Sequence, residues 1–161
     1  MEHYFGTKHI LARAMTRQEY NDYRGWALPS DENGADEGFL VEYTDGGQSN
    51  HLGHAGYISW SPRDVFARAY RPVDALSFGH AIVALKAGQK VARAGWNGKG
   101  MFLFLVPGST FKVNKAPLLG IYEEGTEIQY HAHIDMKTAQ GYVVPWLASQ
   151  ADMLADDWTI V

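Results

Sequence analysis

A glycine-rich turn between two short apolar segments limits how this chain can fold. Residues 91–100 read Val-Ala-Arg-Ala-Gly-Trp-Asn-Gly-Lys-Gly, and the apolar segment Met101–Val106 follows. Glycine adopts positive φ and permits close backbone approach, so this composition favours a turn over a helix interior. The pattern predicts a strand, a turn that carries Trp96 and Asn97, and a second strand. Such a hairpin presents an indole and an amide at a sheet edge; the alternative is that Trp96 folds back onto the core.

The remaining pattern is typical of an α+β protein with antiparallel sheets. Helices are predicted where Thr16 and Glu19 have capping-box spacing, after Ser61-Pro62, after Ser77 and after Ser149. Strands are predicted at 7–14, 39–44, 57–60, 90–93, 101–106, 128–137, 142–145 and 156–161. In the longest of these, 128–137, apolar and polar residues alternate throughout, which predicts one continuous strand with two distinct faces.

The segment Arg71–Asp74 is the best candidate for a domain boundary. It contains one proline and no Ser/Gly tract, and apolar or aromatic residues lie close on both sides. We therefore expect two small abutting modules, residues 1–72 and 73–161, each a short antiparallel sheet with one or two helices.

Composition excludes several classes of function. The 161 residues carry a formal net charge of −4 and no basic block, which disfavours binding to a nucleic-acid backbone. A small anionic ligand stays possible, because a few placed cations are sufficient to bind it. The chain has no cysteine, so a disulfide framework and a thiolate zinc site are excluded. No apolar run approaches ~18 residues, so we expect a soluble, cytosolic protein without membrane contact.

The histidines suggest a metal site as one hypothesis. His131 and His133 alternate on a predicted strand beside Asp135, and His51 and His54 lie three apart in a Gly/Asn-rich loop. A His-x-His strand can place two imidazoles on one ion, and a carboxylate can complete the set. The simpler interpretation is that these histidines are solvated or hydrogen-bonded within the protein.

Catalytic motifs are lacking in the sequence. It has no cysteine nucleophile, no Gly-x-Ser-x-Gly elbow, no Walker-type loop and no dinucleotide fingerprint. Catalysis therefore has little support from the residues, and we predict no catalytic, metal-binding or cofactor-binding residues.

A binding site for a flat ligand has more support from the residue types. Aromatic residues in the second module lie among amide, carboxylate and cationic residues: Arg93, Trp96, Asn97, Lys99, Lys137, Tyr142, Trp146, Ser149, Gln150, Asp152 and Trp158. Stacking a base on an aromatic side chain contributes roughly 1–3 kcal/mol, and amides or carboxylates can read base edges and ribose hydroxyls. Cations such as Arg93 and Lys99 can neutralise phosphates. By residue type alone, a core role and a site role for the tryptophans stay equally open.

Several ordered motifs carry a resemblance to a known family. They are Lys90-Val91-Ala92-Arg93, Gly95-Trp96-Asn97-Gly98-Lys99-Gly100-Met101, Met136-Lys137-Thr138-Ala139, Val144-Pro145-Trp146-Leu147-Ala148-Ser149-Gln150, Asp152-Met153-Leu154-Ala155 and Asp157-Trp158. Over residues 77–106 and 135–161 the chain resembles the type 2 Thoeris anti-defence proteins of phages, which covers roughly the C-terminal half.

This resemblance implies a non-catalytic sponge that sequesters nucleotide immune signals before host effectors sense them. The implied ligands are glycocyclic ADP-ribose isomers and, at a separate site in some members, cyclic oligonucleotides. It also implies a homotetramer with ligand sites between subunits, acting in the cytoplasm of the infected bacterial host. Carried over, the ligand-binding residues are Trp96 as stacking platform and Asn97 as polar reader, with Arg93, Lys99, Gln150 and Asp152 as further contacts. Trp146 and Trp158 are expected to pack in the core.

The first half departs from the single-module pattern of that family. Met15-Thr16, Tyr23-Arg24-Gly25-Trp26 and Gly56-Tyr57-Ile58-Ser59-Trp60-Ser61-Pro62 resemble a separate family of small phage proteins, a resemblance that implies no particular role. The extension could shield the ligand site, alter the assembly or add a second binding activity. Two alternatives to a sponge stay open: a metal-dependent enzyme that degrades such signals through His131, His133 and Asp135, and a phage protein-interaction scaffold.

Overall fold

The computed structural model describes residues 1–2, 4 and 6–161. Contacts along the chain divide it into two compact units, Met1–Arg71 and Pro72–Val161, called here the N-terminal and C-terminal units.

The N-terminal unit is built on an antiparallel sheet with strand order β1-β2-β3. Its elements are β1 (Ile10–Ala14), α1 (Arg17–Arg24), β2 (Gly38–Tyr43), β3 (Tyr57–Pro62) and α2 (Arg63–Ala69). The register pairs Ala12 with Val41 across the first ladder and Val41 with Ser59 across the second.

Helix α1 begins and ends where its sequence predicts. The Thr16 hydroxyl accepts the Glu19 backbone N–H at 3.2 Å, and the Glu19 carboxylate accepts the Thr16 N–H at 2.7 Å. This capping box satisfies N–H groups that the first helical turn leaves without partners. Gly25 ends the helix in the left-handed region with φ of +68°, which costs glycine little. The capping-box prediction is therefore confirmed.

A small apolar core holds α1 against the sheet. Tyr20 of α1, Leu40 of β2 and Ile58 of β3 are buried together. The prediction that Ser61-Pro62 starts a helix was wrong in part, because both residues extend β3 and α2 begins one residue later without a side-chain cap. Pairing of Phe39 with Ser61 explains the difference, since the strand ladder uses this backbone before the helix can.

The C-terminal unit contains an antiparallel sheet with order β10-β4-β5-β8-β9 and a separate β6-β7 ribbon. Its elements are α3 (Phe78–Lys86), β4 (Val91–Arg93), β5 (Phe102–Val106), β6 (Ser109–Lys112), β7 (Glu127–Tyr130), β8 (His133–Lys137), β9 (Val143–Pro145), α4 (Gln150–Met153) and β10 (Trp158–Ile160). The predicted hairpin around Trp96 is confirmed, because β4 pairs antiparallel with β5 through Val91 and Leu103.

One face of this sheet packs against α3. Leu85 of α3, Val91 of β4, Leu103 of β5 and Trp158 of β10 are each at most 1% exposed and share one cluster. Removing this much apolar surface from water is the main favourable term in the folding of such a unit. Trp158 is therefore a core residue, as expected, and Trp146 packs against the same cluster.

The alternating segment 128–137 forms two strands, so the prediction of one continuous strand was wrong. Strand β7 pairs with β6, whereas β8 pairs with β5 in the larger sheet. The backbone leaves the strand conformation at His131 and Ala132, between the two elements. Alternation of side chains is preserved on both sides of such a break, so the pattern alone could not locate it.

Mixed helices and antiparallel sheets confirm the predicted α+β class. Within residues 1–2, 4 and 6–161, no helix has the length and apolar character needed to cross a lipid bilayer.

Truncating the centre of the C-terminal core should destabilise the protein strongly. Leu103 is 0% exposed, so Leu103→Ala should lower the free energy of unfolding by about 2–5 kcal/mol through lost burial and a residual cavity. Urea denaturation of the full chain, followed by tryptophan fluorescence, measures this. Leu147→Ala is the matched control, because Leu147 is 91% exposed and its truncation should change stability little. Equal effects of the two substitutions would contradict the assigned core.

Candidate ligand-binding site

Asp152 lies at the centre of a hydrogen-bonded cluster in the C-terminal unit. It is the third residue of α4, whose N-cap is Ser149. One carboxylate oxygen, Oδ2, accepts the Ser149 backbone N–H at 3.0 Å and the Ser149 hydroxyl at 2.7 Å. The Ser149 oxygen in turn accepts the Asp152 backbone N–H at 3.1 Å, which completes a capping box.

The other carboxylate oxygen of Asp152 faces β4. Its Oδ1 accepts Nη1 of Arg93 at 2.8 Å and the indole Nε1 of Trp96 at 3.3 Å. Arg93 also donates from Nε to Asp157 at 2.8 Å, so one guanidinium bridges two carboxylates. We call Arg93, Trp96, Ser149, Asp152 and Asp157 the Asp152 network.

Trp96 is half-buried, and part of its ring packs against other residues of the protein. Its indole meets Trp158 edge to face, with ring centroids 5.6 Å apart, and it packs against the apolar cluster under α3. The Gly95 backbone N–H donates to Asp157 at 2.7 Å, which fixes the start of the turn. Glycine at position 98 leaves room for Met101 and Ala139, because a Cβ there would overlap the Met101 sulfur and lie 3.0 Å from the Ala139 Cβ. The position of Trp96 is thus set from several directions.

The electrostatics of the network favour fixed charges. Burial alone would raise the pKa of the Asp152 carboxyl, but hydrogen bonds from Ser149, Arg93 and Trp96 outweigh it and lower that pKa to about 2. The Arg93 hydrogen bond and the Gly95 N–H also hold the pKa of Asp157 below its ordinary value. Both carboxylates raise the pKa of Arg93. All three groups therefore stay charged at neutral pH.

The structure brings some of the sequence-predicted site residues together and leaves others apart. Arg93, Trp96 and Asp152 share the network. Asn97 and Lys99 are exposed in the same turn, and Gln150 is exposed at the start of α4. Within the described part of the chain, the side chains of these last three residues make no hydrogen bond or ion pair, so they are free to meet a ligand.

Asp157 is the network member that sequence analysis did not single out. The sequence shows it only as one of two adjacent aspartates and as part of the Asp157-Trp158 motif, neither of which gives geometric information. The signal that could have found it is strand pairing, because Trp158 of β10 lies opposite Arg93 of β4 in the antiparallel ladder. Neighbours across such a ladder are within reach of long side chains.

The histidines of the metal hypothesis take other roles. His133 Nδ1 lies 3.1 Å from the backbone oxygen of His131, and His133 Nε2 lies 3.7 Å from Asp135. His51 and His54 lie in the N-terminal unit, around Tyr23. Among the residues with described positions, no group of three or more His, Cys, Asp or Glu side chains is arranged to hold a metal ion.

The unit that contains this network matches a known protein family. Residues 76–161 match the model described as the Thoeris anti-defense 2-like domain, which is more than half of the chain. This chain belongs to the Thoeris anti-defense 2-like family. Thoeris anti-defense 2 of Bacillus phage SP01 is 42% identical over 86 residues, which are 53% of this chain and 94% of that protein. Membership confirms the resemblance seen in the sequence and supports a phage anti-defence role.

Acid should lower the stability of the fold by protonating the Asp152 carboxylate. A carboxyl whose pKa is lower in the folded than in the unfolded state stabilises the fold above its unfolded pKa. For Asp152 this stabilisation is lost as the pH falls from 3.8 towards about 2. Asp152→Asn should therefore lower stability at pH 7 and flatten the loss of stability across that acidic range. Thermal unfolding at stepped pH measures both effects.

The exposed neighbour Asp156 provides the control for this prediction. Asp156→Asn removes the same charge without touching the network, so its pH profile should follow that of the wild type. An unchanged profile for Asp152→Asn would show that the network does not stabilise the fold.

Proposed function

We propose that the C-terminal unit binds and sequesters a nucleotide immune signal of the glycocyclic ADP-ribose type, without changing it chemically. Host effectors would then fail to receive the signal. The observation that carries this proposal is the Asp152 network, which fixes a half-buried tryptophan beside exposed polar groups within the family-matched region.

Trp96 supplies the aromatic surface in this proposal. Its indole N–H and one edge are held by Asp152 and Trp158, which leaves the exposed part of the ring for a ligand base. Because the protein already immobilises this ring, stacking a base on it costs little side-chain entropy. We expect the stacking to contribute roughly 1–3 kcal/mol.

Polar recognition falls to the exposed residues around the ring. Asn97 carries an amide that can both donate to and accept from a base edge, and Gln150 offers the same groups from α4. Lys99 provides a cation for a diphosphate. Arg93 and Asp152 make hydrogen bonds chiefly to other residues of the protein. They therefore act here chiefly by positioning Trp96 and by setting the local charge.

The charge state of Asp152 favours binding over catalysis. A general acid or base works best when its pKa lies near the operating pH. With a pKa of about 2, the Asp152 carboxyl stays ionised and exchanges no proton at neutral pH. It serves better as a fixed negative charge that accepts hydrogen bonds, which is what a reversible binder needs.

We further propose that the protein acts as a homotetramer in the cytoplasm of the infected bacterial host, with ligand sites between subunits. Strand β9 lies at an edge of its sheet, and apolar side chains on it and just after it are exposed: Val143 is 58% and Leu147 is 91% accessible. Exposed apolar surface beside an unpaired edge supports association with another copy. Cyclic oligonucleotides are a second ligand class to test at a separate site.

Capture and release tests the function directly. Purified protein is incubated with glycocyclic ADP-ribose, filtered to remove free signal and then heat-denatured. Mass spectrometry should recover the intact signal from the denatured protein in stoichiometric amount. Recovery of a degraded product would support the enzyme alternative, especially if chelator or His133→Ala prevents it. If no signal is withheld and a pull-down with the chain recovers a protein partner, the scaffold alternative is supported.

Variants of Trp96 test the stacking surface. Trp96→Ala should weaken signal binding by about 5- to 150-fold, the equivalent of one lost base stack. Trp96→Phe keeps a ring and should bind with intermediate affinity, as isothermal titration calorimetry would show. Trp26→Ala is the matched control, because Trp26 is also half-exposed, at 50%, but lies in the N-terminal unit. Unchanged affinity in Trp96→Ala would remove Trp96 from the site.

A further inference from the structure

The N-terminal unit, which the family match does not cover, contains a pocket of its own. Its volume is about 340 Å³. The lining residues come from β1, α1, β2 and the loop before β3: Leu11, Ala12, Arg13, Tyr23, Leu40, Glu42, Gly53 and His54. The lining therefore combines apolar side chains with charged and hydrogen-bonding groups, which is the usual composition of a small-molecule site.

Three of the polar lining residues form a linear hydrogen-bonded relay. His54 Nδ1 lies 2.6 Å from a Glu42 oxygen, and His54 Nε2 lies 2.9 Å from the Tyr23 hydroxyl. The second Glu42 oxygen accepts the Gly56 backbone N–H at 2.9 Å. His54 and Glu42 side chains are only 14% and 13% exposed. A carboxylate thus orients an imidazole, and the imidazole orients a phenol.

The loop that supplies His54 is held firmly in place. Asn50 donates to the Ile58 carbonyl at 2.9 Å and accepts the Ile58 N–H at 2.8 Å, so its amide pairs with β3 like a neighbouring strand. The Ser49 hydroxyl lies 2.8 Å from the His54 carbonyl oxygen. His51 stacks on the ring of Tyr23 with centroids 4.5 Å apart. The relay is consequently preorganised before any ligand arrives.

The hydrogen-bond directions follow from the charge of Glu42. The hydrogen bond from His54, with that from Gly56, holds the pKa of Glu42 below its ordinary value, so the carboxylate accepts and Nδ1 carries the proton. His54 Nε2 then shares one hydrogen bond with the Tyr23 hydroxyl at 2.9 Å. A phenol oxygen has two lone pairs, so at least one is left to accept a hydrogen bond from a ligand hydroxyl in either direction of that bond.

Arg13 supplies a cation over the ring of Tyr23. It lies on the exposed strand β1, with its Cζ 5.0 Å from the centre of the Tyr23 ring. Among the residues that the structure describes, no carboxylate pairs with it. A free guanidinium suits a phosphate, to which it can donate two parallel hydrogen bonds.

We propose that this pocket is a second ligand site, which binds a small phosphorylated sugar or nucleoside monophosphate. A ligand hydroxyl donates to Tyr23, the phosphate pairs with Arg13, and the remaining sugar or base lies against the exposed Leu11. This site belongs to the N-terminal unit and does not depend on the function proposed for the C-terminal unit.

Titration of the full-length protein tests the ligand class. Isothermal titration calorimetry with AMP and with ribose 5-phosphate should show saturable binding. Adenosine lacks the phosphate and inorganic phosphate lacks the sugar hydroxyls, so each should bind at least about tenfold more weakly. Absence of binding by both phosphorylated sugars, or equal affinity for adenosine, would overturn the proposal.

Paired variants assign the binding to this pocket. Arg13→Gln and Tyr23→Phe should each weaken AMP binding about tenfold, because each removes one polar contact and leaves the fold intact. Arg68→Gln and Tyr57→Phe change exposed residues of the same types outside the pocket and should have no effect. Thermal unfolding checks that all four variants are folded.

The same titration separates the two sites of the protein. Trp96→Ala should leave AMP binding unchanged while weakening capture of the immune signal. If Trp96→Ala abolishes AMP binding and Arg13→Gln does not, the ligand occupies the C-terminal site and the N-terminal proposal fails. The capture experiment has its own readout, so failure of one proposal leaves the other measurable.

Discussion

The Asp152 carboxylate joins α4 to β4 and the turn after it, which lie 56 to 59 positions earlier in the sequence. Its two oxygens accept four hydrogen bonds, from Ser149 at the start of α4, from Arg93 on β4 and from Trp96 in the turn. The Asp152 backbone carbonyl also accepts the indole N–H of Trp158 in the core. Burying a charge is costly unless such partners compensate for lost water, and loss of one partner leaves the other charge uncompensated. The turn, the short helix and the closing strand therefore depend on one another.

The immobilised ring of Trp96 affects how tightly the proposed site can bind a flat ligand. Affinity for a flat ligand depends less on contact area than on how much order the protein must impose when the ligand arrives. Trp96 is already fixed by its hydrogen bond to Asp152 and by its edge-to-face contact with Trp158. In the proposed site, the side chains that are left mobile are exposed ones such as Asn97 and Lys99. A rigid ring with adaptable polar neighbours is consistent with the proposed retention of a signal.

Local chemistry explains which parts of the fold could be predicted. The capping box of Thr16 and Glu19, and the cap of Ser149 on α4, depend on residues within three positions, so the sequence pattern contains the whole interaction. The break at His131 depends instead on which strands pair with β7 and β8. Alternation is the same for one strand or for two, and only long-range pairing distinguishes them.

The candidate sites were harder to predict for the same reason. The family resemblance implied Asp152 as a ligand contact, but its carboxylate accepts hydrogen bonds from Ser149, from Trp96 and from Arg93, which lies 59 positions away in sequence. The relay of Tyr23, Glu42 and His54 likewise joins a helix, a strand and a loop, and no spacing rule connects them. A polar residue in a sequence shows which hydrogen bonds it can make; the fold decides whether a protein group or a ligand makes them. The free polar groups beside a saturated network, here Asn97 and Gln150, are therefore better candidates for ligand contact than the most perturbed carboxylate.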